Sequence, residues 1–344
     1  MKRNSGLLWI VLLLSLGSCV SYENLTIEVL KPAKFFLPAN IRKVAIVSRN
    51  LKYEDDTLQY YHQKNRQLIK DKIKFNSDSL AQITCIDSLA AKLLIQSRFD
   101  SILILPVNSF PKVHVKDIRP GKAEWYKNLA DKTGADGLIV LDMFSCFYIN
   151  KTDESVSNPM ANVVTSNIWS IYDSKNHKII DRFAQVDTLF WDGTDDNGNY
   201  NERRIPAKKE AVILASGVIG ENYSKHILPS WSNVSRTIMV CDKPEFRQAA
   251  KLAQKSKWEE ASAIWQKYTV SKNKRDKIIA TYNLALSSEM NGKIDQALEL
   301  TAQAAKLSTV TFRSNENEAV RKYSAVLYRR KMEISKLDAQ HELR

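Results

Sequence analysis

The sequence predicts an α+β chain: a mixed sheet domain with covering helices, followed by an all-α helical repeat domain. Three observations predict it. Short β-branched runs alternate with segments of helical period as far as residue 240, strand-type runs stop at Lys243-Pro244, and beyond that point apolar residues recur every three or four positions. A length of 344 residues with 44% hydrophobic content is enough for two cores.

The chain opens on Lys2 and Arg3, then an apolar block from Leu7 to Leu14, then Leu16-Gly17-Ser18-Cys19. An apolar block this short is a secretory signal and not a membrane span, which takes about 20 residues. Leu-Gly-Ser-Cys resembles the bacterial lipobox, which implies cleavage after residue 18 and attachment of diacylglycerol to Cys19. Residues 1–18 are therefore read as signal peptide and 19–40 as lipidated N-terminus and tether, with a strand-like alternation at 25–30. Val20 follows the cysteine and the nearest acid is Glu23, so resemblance to lipoprotein sorting rules implies the outer membrane, facing the periplasm.

The sheet domain is expected over 41–241. Residues 43–48 read as a buried strand, while 56–75 are polar and charged and read as either loop or exposed helix. Leu80, Ile83, Ile86, Leu89, Leu93 and Leu94 keep helical spacing, and a strand follows at 102–105. The unit repeats with a helix at 123–133, Gly134 as its C-terminal cap and a strand from Gly137. Runs at 163–172 and 178–190 flank the polar loop 173–177 as a hairpin. A helix at 208–226 carries Ala215, Ser216, Gly217 and Gly220, small residues expected to let it lie close to a sheet, and 234–240 is expected as the last strand. This order loosely resembles the sheet-and-helix domains of penicillin-binding-protein activators and of the curli secretion lipoprotein.

Over 242–344 the pattern is helical. Ala261 and Ala297 stand 36 residues apart, close to the roughly 34 of a tetratricopeptide repeat. The first copy has Trp258, Ala261 and Trp265, and the second Ile294, Ala297 and Thr301 with Gly292 at the turn. Two tetratricopeptide-like repeats and a capping helix at 318–337 are expected. Leu228-Pro229-Ser230-Trp231, Arg236, Trp258-Glu259-Glu260-Ala261 and Trp265, with the lipobox and Lys31-Pro32-Ala33, resemble a family of uncharacterised Bacteroidota lipoproteins with tetratricopeptide-type C-termini. That resemblance implies no activity.

Catalytic patterns are sparse. There is no G-x-S-x-G, P-loop, H-E-x-x-H or C-x-x-C, and His62, His114, His177, His226 and His341 stand apart, read as surface histidines. Cys85, Cys146 and Cys241 are too widely spaced for a disulfide framework and read as small buried hydrophobes. Asp192, Asp195 and Asp196 with Asn197 and Asn199 form the one acidic loop, a solvated turn or a weak calcium loop, without the glutamate of an EF-hand. The net charge of +13 falls to +11 without Lys2 and Arg3, and its excess is spread along the chain, with no nucleic-acid arm. No cofactor motif is present. A carboxylate clamp is not expected, since Phe246 and Ala250 occupy the positions it would need. Phe246, Tyr282, Glu289 and Met290 are the candidate partner-binding residues of the inner helices. The expected function is a non-enzymatic, membrane-anchored binding or scaffold protein with a protein partner. The alternatives are a subunit of a secretion or cell-wall synthesis assembly, and a metal-dependent hydrolase using the acidic loop.

Overall fold

The computed structural model describes residues 20–53, 59–64, 67–70, 78–96, 98–151, 158, 160–309 and 314–342. The signal segment and Cys19 lie outside them. The described chain divides into two units, a sheet unit at Ala33–Pro229 and a helical unit that joins residues 20–32 with Ser230–His341.

In the sheet unit the strands are β2 (Lys43–Tyr53), β3 (Gln59–Lys64), β4 (Gln67–Lys70), β5 (Ser101–Ile104), β6 (Val113–Val115), β7 (Gly137–Lys151), β8 (Met160–Asp173) and β9 (Lys178–Trp191), with helices α1 (Asp78–Ile95), α2 (Ala123–Thr133) and α3 (Lys208–Ile227). Strand β7 is the hub. One edge pairs antiparallel with β8 along its length; the other pairs parallel with β2 through its first half and with β3 through its second. The expected hairpin forms in a register from Ala161↔Trp191 to Asp173↔Lys178, with a bulge beside Ile171. Asp173 stabilises its turn by accepting from the N–H groups of Lys175 and Asn176 at 2.9 and 3.2 Å. Gly134 caps α2 at φ 61°, in the left-handed region that favours glycine.

One sheet face packs on α1 and α3 around Ile46, Leu89, Leu141, Trp169, Ile219 and Tyr223; the other holds α2 through Val47, Tyr126, Leu138 and Tyr172. The small residues of α3 serve a different neighbour from the one expected. A Cβ on Gly220 would lie 2.0 Å from the Cys85 carbonyl oxygen, and one on Gly217 would lie 3.3 Å from Ser88 Oγ, so they let α3 cross α1, helix against helix. Cys85, Cys146 and Cys241 are buried, and none of them is in a disulfide.

The domain limits expected at 40 and 241 move. Strand β1 (Ser21–Lys31), expected as tether, pairs antiparallel with β10 (Ser230–Val240), expected as the last strand of the sheet, from Ser21↔Val240 to Lys31↔Ser230. Together they make a two-stranded ribbon apart from the large sheet. The reason is that Ile238, Met239 and Val240 share one core with the C-terminal helices, and Val20 and Leu25 pack against it.

Those helices are α4 (Pro244–Gln254), α5 (Trp258–Tyr268), α6 (Lys274–Met290), α7 (Ile294–Thr309) and α8 (Ser314–Glu342), the last longer than the expected cap. Ala261, Ala297 and Trp265 are wholly buried, and Gly292 turns the second hairpin at φ 73°. Helix α6 is central and buried on nearly every side from Ile278 to Ser288. Its Asn283, fully buried, accepts from the Met239 N–H at 3.0 Å and donates to the Met239 carbonyl at 2.7 Å, satisfying the outer edge of β10. Asn283→Leu leaves both backbone groups buried and unpaired and is expected to destabilise the helical unit by about 2–6 kcal/mol. Urea unfolding of the full chain checks this: the helical transition should move and the sheet-unit transition stay.

Candidate functional site

Two of the four candidate partner residues meet at one place. Tyr282 and Glu289 lie two turns apart on α6 and so share a face. Opposite them β10 presents Arg236, which takes the inward parity of Val234, Ile238 and Val240. Arg236 donates from Nε to Glu289 Oε2 at 2.9 Å and from Nη2 to Oε1 at 2.6 Å, with side chains only 8% and 4% exposed. Tyr323 on α8 donates to Glu289 Oε2 at 2.8 Å, and its ring meets that of Tyr282 at 5.1 Å between centroids.

Above this floor lies a pocket of about 260 Å³, walled by Tyr22, Arg236, Tyr282, Tyr323 and Val326 and edged by Asn24, Ser235, Thr237 and Lys322. Burial, reinforced by the Glu289 charge, holds the Tyr323 hydroxyl well above its ordinary value; burial likewise raises Tyr282, against the pull of Arg236. Burial lowers the Arg236 guanidinium, but the hydrogen bonds and charge of Glu289 outweigh it and the net direction is upward. The floor is therefore a neutralised ion pair beneath protonated phenols, and Glu289 is engaged on both oxygens. These groups offer aromatic contact and hydrogen bonds, with no free base or nucleophile among them.

The other two candidates do not reach the pocket. Phe246 is wholly buried, its ring 4.7 Å from that of Tyr268, so it is a core residue and not a partner contact. Met290 is partly buried against the same helical core. Sequence reasoning missed Arg236, Tyr323, Tyr22 and Lys322. A lone arginine on the apolar parity of β10 was a readable signal that an acid waits inside; Tyr22 and Tyr323 became visible only once the ribbon had closed.

In the sheet unit a second buried charge is satisfied by structure. Asp142 accepts from Arg49 Nη1 at 2.8 Å and Ser170 Oγ at 2.5 Å, and Arg182 Nε lies 3.7 Å away. His226, expected on the surface, is nearly buried, stacked on Phe183 at 4.1 Å and 2.8 Å from Asp181 Oδ2.

Asp192 and Asp195 of the acidic loop spend their carboxylates on the loop's own backbone. Asp192 Oδ1 accepts from the Thr194 N–H at 2.9 Å, and Asp195 Oδ1 from those of Asn197 and Asn199 at 3.0 and 2.8 Å. The Asn199 backbone N–H is the main cause of a lowered Asp195 carboxyl. Gly193 and Gly198 turn the chain at φ 71° and 82°. Among the described residues no group of three or more His, Cys, Asp or Glu could hold a metal ion.

Two predictions follow from this geometry. Glu289→Gln strands the buried Arg236 charge and should cost about 3–5 kcal/mol, whereas Arg236→Met with Glu289→Leu should restore most of the loss; urea midpoints of the two variants decide it. Changing Asp192, Asp195 and Asp196 together to Asn should leave the melting temperature equally insensitive to calcium in wild type and variant. A calcium-dependent rise that the triple change abolishes would establish a calcium loop.

Two family models match the chain, both described as domains of unknown function: DUF8603 over residues 41–238 and DUF6340 over residues 247–331. No curated protein matches it. Solved structures with some likeness include the PelC dodecamer from Paraburkholderia phytofirmans, at 10% identity over 60% of this chain and 100% of that one, TM-score 0.26. Protein XCC0632 from Xanthomonas campestris matches at 6% identity over 56% and 88%, TM-score 0.27. Lipoprotein GNA1162 from Neisseria meningitidis matches at 13% identity over 52% and 98%, TM-score 0.23. Such TM-scores fall below the level at which a common fold follows. The DUF8603 match spans more than half of the chain, through every named strand and helix of the sheet unit and most of β10, and the chain belongs to that family.

Proposed function

We propose that this protein is a lipid-anchored, non-enzymatic binding protein of the bacterial cell envelope, which holds a protein partner at the membrane through its helical unit. The observation that carries the reading is the pocket over Arg236, Glu289 and Tyr323. At about 260 Å³ it is smaller than the roughly 300–1,000 Å³ of a cofactor or metabolite site, and suits a single inserted side chain. Its tyrosine walls favour an apolar or aromatic residue, the kind that anchors protein interfaces. Leu16-Gly17-Ser18-Cys19 supports the anchor, and among the described residues no helix is long and apolar enough to cross a membrane. The tetratricopeptide-type reading of α4–α7 rests on the buried pair Ala261 and Ala297 at corresponding hairpin positions. By the sorting rules the anchor sits in the outer membrane, facing the periplasm.

Two measurements test this together. Fatty-acid labelling should mark the wild-type protein and leave Cys19→Ala unlabelled and released from membranes, since burial of acyl chains contributes about 0.8 kcal/mol per CH₂. Crosslinking from intact envelopes should capture a defined protein with wild type and at least ten-fold less with Thr237→Arg, which fills the pocket from its rim. Equal capture at an unchanged unfolding midpoint would place the partner elsewhere.

A further inference from the structure

Helix α4 divides sharply into two faces. Phe246, Ala249, Ala250 and Ala253 are buried in the helical core, while Arg247, Lys251 and Lys255 stand exposed at intervals of four, one row along the opposite side. The row is about 12 Å long. It lines an open groove of about 400 Å³ with Pro244, Gln248 and Leu252. Arg247 donates to the Asp242 backbone carbonyl at 2.6 Å, which leaves its charge uncancelled. Lys251 and Lys255 have no acidic partner among the described residues, in contrast to the flanking Lys257, which pairs with Glu260 at 2.8 Å, and Lys243, which pairs with Asp276. From Lys243 to Lys257 the sequence holds five basic residues and one acid, Glu245.

The position of this row relative to the chain start gives it meaning. Ser21 is already paired with Val240, the strand end that leads into α4, and Glu23 accepts from Gln254 Nε2 at 2.8 Å near the other end of the helix. Two residues of chain span at most about 7 Å, so a lipid on Cys19 reaches the bilayer within a few ångströms of folded protein. The helix that flanks β1 from Ser21 to Glu23 is then held close to the headgroups, within reach of an anionic surface potential that decays over about 8 Å.

We propose that the Arg247, Lys251 and Lys255 row of α4 is a membrane-contact surface that takes the phosphates of anionic phospholipids and fixes how the helical unit stands on the bilayer. The placement rests on Cys19 being the lipidated residue; the charge row itself is independent of it. Three uncancelled cations in line match a plane of phosphates.

The test uses the unlipidated chain Val20–Arg344, both units intact, with vesicles of phosphatidylcholine alone or with 30% phosphatidylglycerol. Binding should need phosphatidylglycerol, weaken as salt rises, and fall on the order of a hundred-fold in R247Q/K251Q/K255Q, at roughly five-fold per cation. The control K116Q/K127Q/K132Q, with the same charge change in the sheet unit, should bind as wild type. Equal loss in both triples overturns the proposal in favour of diffuse charge. Binding to a soluble anionic polysaccharide with none to vesicles also overturns it. Fatty-acid labelling of Cys19 is scored separately: label without vesicle binding overturns the contact surface and keeps the anchor, whereas vesicle binding without label keeps the contact surface and removes the anchor.

Discussion

A buried side-chain amide ties the helices of the helical unit to the outer edge of its ribbon. Strand β10 has a partner on one edge only, and the Met239 N–H and carbonyl on its other edge face the helical core, where leaving them unpaired would cost about 1–3 kcal/mol each. Asn283 presents a donor and an acceptor side by side, in the manner of a neighbouring strand, and closes both. The rest follows from that contact. Because Asn283 lies beside Tyr282 and less than two turns from Glu289, fixing it against Met239 also fixes the pocket wall and the acid that Arg236 must meet. A hydrophobic residue at 283 could pack in the same volume and would carry none of this alignment.

The same ribbon explains the order of the chain. Its strands stand far apart in sequence, 219 residues separating Ser21 from Val240, and the whole sheet unit is inserted between them. Insertion of this kind is tolerated when the inserted unit begins and ends at one place. Here Phe35 donates to the His226 carbonyl at 2.8 Å, so the entry and exit of the sheet unit lie together. The sheet unit therefore closes the long loop when it folds, and β1 and β10 meet without the entropy cost of a free chain of that length. β1 has only the ribbon to join, which is why the stretch after Cys19 reads locally as a strand but not as part of any sheet.

Local pattern carried much of the fold. The helices at α1, α2 and α3, the hairpin of β8 and β9, the Gly134 cap and the helical hairpins after Pro244 were all legible, because period, turn chemistry and cap residues are short-range signals. Three things were not. Strand β3 is polar, and in β4 the two apolar residues, Leu68 and Ile69, are adjacent and exposed, giving no alternation to read. The assignment of β10 to the ribbon depends on a partner more than two hundred residues away. The role of Gly220 was misjudged because a small residue on a helix announces close approach without naming the neighbour, here the Cys85 carbonyl. At the pocket, Tyr282 and Glu289 were legible from their shared helix face, whereas Phe246 had the same apolar signature and went to the core.

The buried charge at the pocket floor follows from this geometry and not from a need for stability. Taking Arg236 and Glu289 out of water costs several kcal/mol per ion, and their attraction returns that only when the geometry is good, so a well-packed apolar pair could hold the unit as firmly. An apolar pair would oppose a change of register only through lost burial. If β10 slipped by one residue, Arg236 would turn from the core face to solvent and Glu289 would be left buried without its partner, while Met239 would leave Asn283. Two polar contacts three residues apart on one strand thus add to the penalty already set by Val234, Ile238 and Val240, which the same slip would turn out of the core. Register is also what sets Tyr22 at the pocket rim, through its pairing with Met239. The ion pair that neutralises the floor of the site thus helps to hold the register that puts β1 at its mouth.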